Sequence, residues 1–442
     1  MKQITIFLAA FFLAGTGFSQ KTYTLKEAIS YSLDNHGSTV IYNNEVEKVG
    51  HQTKEALAAY LPQVSANVTL DDNLKRQTSV LPGAIFGSDK DLPVQFGNKY
   101  NTGAVVQLDQ TIYDQSMIYG IKAGVPAKKV AELNLAKNKE DLVYNTAAAY
   151  SQILVLKEQQ RLIAANLKEN EALYKILQFR FDKGAAKKVD VDRELVQVNN
   201  AKAQLQQIEA DIEAATNSLK NAMGLPMNAT LNIDDSLNYD KYQKLANYDN
   251  EIKVALDHQV QEQQIALQEI DIKRKQAAYL PTVSAYARYG SQTYGNEFGK
   301  SYNNWNDYSA IGLKLNVPIF SGRRRESQLQ QSRLELHNQK VNLSLTDDRI
   351  DMQTKNALQK LKSSISSLTM NKENMDLAKT VYETTQFEYS KGVTTMSDML
   401  NAEFSYRQAQ TNYLTSLINL VNYRLDYEKA KGTITDFINQ LS

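Results

Sequence analysis

The sequence predicts a mainly α protein with a transmembrane β part, built as a tandem duplication of one unit: helix, strand, strand, long helix, return helix. Three observations carry this prediction. Motifs return at nearly constant offsets: Ala59-Tyr60-Leu61-Pro62-Gln63-Val64-Ser65-Ala66 reappears as Ala278-Tyr279-Leu280-Pro281-Thr282-Val283-Ser284-Ala285, 219 residues later. Gln178-Phe179, Lys183-Gly184, Asp190 and Gly224 return as Gln386-Phe387, Lys391-Gly392, Asp398 and Gly432, each 208 residues later. Four segments alternate apolar and polar residues with period two, the signature of strands with one apolar face. With only 7 Pro and 19 Gly in 442 residues, the rest has few turns and must form long elements.

The amino terminus reads as an export signal covering residues 1–20. Lys2 precedes the apolar run Ile4 to Ala14, and Gly15 to Gln20 supply a small, polar cleavage region, so the mature chain begins near Lys21. Beyond it, no run approaches the roughly 18 apolar residues of a membrane-spanning helix. Such a chain is either soluble outside the cytoplasm or crosses a membrane as strands.

The two repeats occupy residues 21–236 and 237–442 and read in the same order. The first opens with a helix of about 38 residues, starting at the capping box Thr24-x-x-Glu27 and stopped by Pro62, as Pro281 stops its counterpart. The strands follow: Val64, Ala66, Val68 and Leu70 on one face, then Ala104, Val106, Leu108, Gln110 and Ile112, and in the second repeat Val283, Ala285, Ala287 and Tyr289, then Ile311, Leu313, Leu315, Val317 and Ile319. The connecting segments, Asp71 to Asn101 and Gly290 to Tyr308, differ in length and read as exposed loops. A long helix from Pro126 carries Ile153, Leu156, Ile163, Leu167, Tyr174, Leu177 and Phe181 at heptad-like spacing and breaks at Lys183-Gly184; its counterpart runs from about Arg323 to Ser390. Return helices cover Val189 to Met223 and Asp398 to Lys431. The opening and closing helices of a repeat sum to nearly the length of the single long helix, which predicts antiparallel rods of equal reach, with strands at one end and the turns at Gly184 and Gly392 at the other.

Four strands cannot close a barrel in lipid, because small membrane barrels begin at about eight strands and open edges are not tolerated there. Copies from other chains must complete it; two, three or four protomers give eight, twelve or sixteen strands. Tyr100, Tyr113, Tyr286, Tyr294, Tyr302 and Tyr308, with Trp305, gather near strand ends as an interfacial aromatic girdle requires.

Composition excludes several classes of function. Fifty Lys and Arg against 49 Asp and Glu give a net charge of +1, no footprint for nucleic acid, and the absence of Cys rules out thiol catalysis, disulfides and a lipidated amino-terminal Cys. His36, His51, His258 and His337 show no metal-site spacing, and no GxSxG or phosphate-binding loop occurs, so no enzymatic chemistry and no cofactor is expected.

Thr24-Leu25-Lys26-Glu27-Ala28-Ile29, the two AYLP-strand motifs, Val317-Pro318-Ile319-Phe320-Ser321-Gly322, and the tips Phe181-Asp182-Lys183-Gly184 and Glu388-Tyr389-Ser390-Lys391-Gly392 together resemble the TolC-like outer-membrane efflux proteins, over essentially the whole mature chain. The resemblance implies a homotrimer in outer-membrane lipid, with a twelve-stranded β-barrel continued by a periplasmic α-helical coiled-coil tunnel. It serves as the exit duct for an inner-membrane pump of RND or ABC type, joined through a periplasmic adaptor protein. It further implies adaptor contacts at Lys183, Gly184, Ala185, Lys391, Gly392 and Val393, and an entrance gate that includes Asp398. Asn401 stands where the family carries a second acidic residue. Tyr389 matches a family tyrosine that hydrogen-bonds an Asp, here Asp190, while Thr394 replaces the partner arginine. An exported coiled-coil protein of structural role is the competing reading; it accounts for the heptads but not for four alternating strands.

Overall fold

The computed structural model describes residues 22–82, 87, 90–234, 255–299 and 301–441. The export segment and the junction between the repeats at residues 236 and 237 lie outside them. In chain order the elements are β1 (Thr22–Tyr23), α1 (Leu25–Asn35), α2 (Gly37–Ala58), β2 (Gln63–Asp72), β3 (Thr78–Leu81), β4 (Leu92–Gln95), β5 (Tyr100–Tyr113), α3 (Gln115–Lys122), α4 (Gly124–Asp182), α5 (Lys188–Met223) and β6 (Asn232–Ile233). They continue as α6 (Leu256–Ala277), β7 (Thr282–Gly295), β8 (Asn306–Asn316), α7 (Arg324–Ser390), α8 (Met396–Lys431) and α9 (Ile434–Leu441). The chain divides into two compact units, and each draws on both sequence repeats. One comprises Asn44–Glu132 and Val260–Ser344, the other Met1–Asn43, Leu133–Gln259 and Leu345–Ser442.

The first of these, the sheet unit, is organised around an antiparallel four-stranded sheet of order β2-β5-β7-β8. Directly paired residues share a face, and the register aligns the four apolar sets on one side except for Ile112, which falls in a register shift so that Tyr113 pairs with Val283 in its place. Val64 pairs with Leu108, Leu108 with Ala287 and Ala287 with Ile311; Ala66, Val106 and Tyr289 form the next row. The opposite side carries Ser65, Gln107 and Arg288, and in other rows Gln63, Asn67, Thr69 and Lys314. The apolar face is left open to solvent: Ile311 is 87% accessible and Val68 76%. In the sheet as it stands, β2 and β8 are edge strands, each paired on one side alone.

Three features of this unit differ from the sequence expectation. The last strand ends at Asn316 rather than continuing through Val317 and Ile319, since Pro318 has no N–H for a ladder. The first long loop contains a further hairpin, β3 with β4, in which Val80 pairs with Pro93. Finally, Tyr286 and Tyr308 stand on the polar face and not in a lipid-facing girdle. Tyr286 is paired with Gly312 and Tyr308 with Gly290, and a Cβ on Gly312 or Gly290 would come within 2.7 Å or 2.6 Å of the facing ring. The glycines thus make room for rings that lie across the polar side. Tyr100 keeps an end-of-sheet position, where its ring meets Phe298 at 5.4 Å; Tyr302 meets the same Phe298 at 5.5 Å.

In the other, helical, unit the opening helix is broken where one continuous helix was expected. Thr24 caps α1 with its side chain, as the capping box requires, but His36 is extended (φ −68°, ψ 131°). Its imidazole Nδ1 accepts a bond from the Ser38 N–H at 3.2 Å, restarting the helix as α2. The cause is tertiary: Gly224, the left-handed C-cap of α5, lies so close that a Cβ there would be 2.9 Å from the His36 Cα. The α4 and α7 helices have 59 and 67 residues, about 90 and 100 Å at 1.5 Å per residue. A core of Val143, Ala147, Leu361, Leu417, Leu420 and Leu425 joins helices from both repeats. The amino-terminal strand is tied in by the parallel pairing of β1 with β6, and Tyr150 Oη lies 2.6 Å from the Asp234 carbonyl and 3.1 Å from that of Tyr23.

Candidate functional site

The two tips of the helical unit are built alike. At the end of α4, Gly184 takes φ +74° and Ala185 N–H donates to the Arg180 carbonyl at 2.7 Å; at the end of α7, Gly392 takes φ +76° and Val393 N–H donates to Glu388 at 2.9 Å. These are C-terminal caps that glycine favours because its left-handed conformation carries no Cβ penalty. In each tip the lysine before the glycine lies over the phenylalanine four residues earlier, Lys183 over Phe179 at 5.7 Å and Lys391 over Phe387 at 5.2 Å. Lys183, Ala185, Lys391 and Val393 are exposed, so the residues matched to adaptor contact are available for one. Behind them Leu177, Val191, Met396 and Met399 form a small buried core that holds the two turns together, with Tyr389 packed against it.

Asp398 occupies the third position of α8 and completes a capping box. Its carboxylate accepts from the Thr395 hydroxyl at 2.5 Å, the Thr394 hydroxyl at 3.2 Å and the Thr395 N–H at 3.3 Å, while its own N–H donates to Thr395 Oγ1 at 3.2 Å. The hydrogen bond from the Thr395 side chain is the main cause that holds its pKa below the ordinary carboxylate value, so it remains charged at neutral pH. Asn401 follows one turn later, exposed like Asp398, while Met399 is buried between them. The stripe continues through Ser405, Gln408 and Asn412 at spacings of three and four, giving α8 an exposed polar face without a second charge. The stripe is legible in the sequence as polar residues at helical spacing.

Tyr389 and Asp190 are electrostatic neighbours within one chain: burial, then the Asp190 charge, raises the pKa of the Tyr389 phenol. Among the described residues no hydrogen bond joins them. The Asp190 carboxylate instead faces Arg193 at 3.6 Å. The sequence-derived latch is therefore a proximity, with the phenol packed in the tip core.

His51 approaches Glu47 of its own helix at 3.7 Å, and His258 Nδ1 on α6 lies 2.6 Å from Asp347 on α7. Among the described residues no group of acidic or histidine side chains has the arrangement of a metal site, and no helix is long and apolar enough to cross a membrane.

A sheet with an exposed apolar side and a polar side, in a chain whose long helices end in paired, exposed turns, fits a membrane-channel class of protein. The chain belongs to the outer membrane efflux protein family, whose model matches residues 43–225 and 250–435. Among characterised relatives, the outer membrane protein TolC of Escherichia coli is 24% identical over 77% of this chain and 71% of its own length. The alkaline protease secretion protein AprF of Pseudomonas aeruginosa is 22% identical over 72% and 69%. The solved structure of the outer membrane protein VceC of Vibrio cholerae superimposes with a TM-score of 0.73 at 17% identity, covering 92% of this chain and 96% of that one. The CmeC outer membrane channel of Campylobacter jejuni gives 0.71 at 14% identity, covering 100% and 97%. The fold is that of the TolC-type channels, and the family places the protein in the outer membrane.

Proposed function

We propose that three copies of this chain assemble into one outer-membrane duct, with twelve strands closing the barrel and the helical units forming a periplasmic tunnel. It is the exit path of a tripartite efflux or type I secretion system, receiving cargo from an inner-membrane pump through an adaptor seated on the Gly184 and Gly392 tips. The observation that carries the reading is the sheet: its apolar side is exposed, its polar side can line a lumen, and its strands β2 and β8 offer open edges to neighbouring copies. The loops Asp71 to Asn101 and Gly290 to Tyr308 then face the cell exterior.

In such a trimer Asp398 forms a ring of carboxylates at the periplasmic entrance, which attracts cations and repels anions. Asn401 contributes no charge, so Asp398 carries the effect alone. Purified protein in a planar bilayer is expected to show cation-selective conductance blocked by multivalent cations, both weakened in Asp398→Asn. The amide oxygen still accepts from Thr395, so the helix start is retained. The control is Asp192→Asn, because Asp192 is already paired with Lys188 at 3.0 Å. Unchanged reversal potential and block in Asp398→Asn, with altered values in Asp192→Asn, would move the constriction to the first repeat.

A further inference from the structure

A second acidic feature lies in the same part of the helical unit, and the entrance reading does not use it. Glu194, on α5 one turn beyond Asp190, is fully buried, and neither of its carboxylate oxygens has a hydrogen-bond partner. Glu403 on α8 is also buried and is bonded to Arg407, one turn later on the same helix. Glu194 interacts electrostatically with both Glu403 and Arg407. The other ionisable groups around this site are Glu169 and Arg180 on α4, Asp190 on α5, Tyr406 on α8, and Lys379, Tyr382, Glu383 and Tyr389 on α7. Tyr382 is buried and stacked on Tyr406 at 5.9 Å, closing one side. Two buried carboxylates thus lie near one half-buried cation that bonds Glu403 alone, and an ionised carboxylate without a partner is costly to keep from water.

We propose that Glu194, Glu403 and Arg407 form a proton-controlled lock between the return helices α5 and α8. With a proton on Glu194 the trio is electrically neutral and the helices stay packed. When that proton leaves, one negative charge is uncompensated, and α5 and α8 loosen at the tip. Burial first, and then the Glu403 charge, push Glu194 up to about 8, with Arg407 opposing. The sign follows from linkage: an acid whose native value lies above its unfolded value of 4.5 contributes full stability below that value, and loses it as pH rises to about 8. That loosening widens the entrance rests on the duct reading; the lock itself does not.

The test is amide hydrogen exchange of the full assembled protein in detergent, corrected for the chemical rate at each pH and read at the first turns of α5 and α8. Opening exposes Glu194 at its ordinary acidity, so protection there should fall by up to about tenfold per pH unit between about pH 5 and pH 8, then level off. Glu194→Gln should abolish this slope. Glu403→Gln leaves Arg407 to Glu194, so levelling should begin at lower pH. A glutamate that merely packs would reduce protection by one factor at every pH in both variants. That result, or a wild-type slope persisting in Glu194→Gln, overturns the lock. If Glu194→Gln does not assemble, an unmoved levelling point in Glu403→Gln does the same. Absence of bilayer conductance, by contrast, would count against the duct and leave the exchange result standing.

Discussion

Ile311→Arg is expected to prevent stable insertion of the protein into the outer membrane. Ile311 lies near the middle of β8 on the apolar face, in one row with Ala287, Leu108 and Val64. On a soluble protein an exposed position tolerates almost any side chain, within about 0.5 kcal/mol. On a lipid-facing strand an arginine near the midplane costs about 2–4 kcal/mol, and a trimer carries three copies, for a total of about 6–12 kcal/mol. The companion substitution Ser65→Arg places the same side chain on the polar face, beside Gln107, and is expected to insert normally. Recovery of each variant in the outer-membrane fraction, with denaturant resistance after extraction, is the measurement. Equal behaviour of the two variants would mean that the apolar face does not meet lipid.

Gly224→Ala should have the next largest effect, lowering the thermal midpoint far more than Gly184→Ala or Gly392→Ala. All three glycines have positive φ, so each alanine carries a left-handed backbone cost of about 1–2 kcal/mol. Only at Gly224 would the added Cβ also meet backbone, 2.9 Å from the His36 Cα and 3.4 Å from the Asn35 carbonyl; the tip glycines face open space. Forcing apart two chain segments adds roughly 1–3 kcal/mol. If the tip variants are the more damaged, the contact between the C-cap of α5 and the break before α2 is not a tight one.

These residues also mark how far the sequence could be read. The repeat offsets identified Gly184 with Gly392 and Gly224 with Gly432, and all four adopt φ between 74° and 76°. A local requirement of the backbone leaves a local trace, and that trace survives duplication. Alternation likewise located the four strands, because each face of a strand meets one environment along its whole length. What escaped was non-local. Asn35, Gly37 and Ser38 beside His36 are helix-breaking and capping residue types, whereas the contact from Gly224 and the two-residue pairing of β1 with β6 leave no periodicity. Which face Tyr286 and Tyr308 occupy depends on register across the sheet, one residue of slip reversing it. Glu194 looks in sequence like any acidic residue on a helix; only the packing of four helices around it makes it a buried one. At the start of α8, the capping box explains why Asp398 sits at the third position, and the burial of Met399 and Glu403 leaves the stripe from Asn401 to Asn412 on the exposed face.

The central claim is that the four-stranded sheet is one protomer's share of a closed barrel, and the number of chains in the membrane-extracted particle tests it most directly. Protein extracted from the outer membrane in mild detergent and weighed by native mass spectrometry is expected to contain three chains, with none released until the particle is denatured. A water-soluble, monodisperse single chain would contradict the account, because β2 and β8 would then hold their edges open without a neighbour to close them.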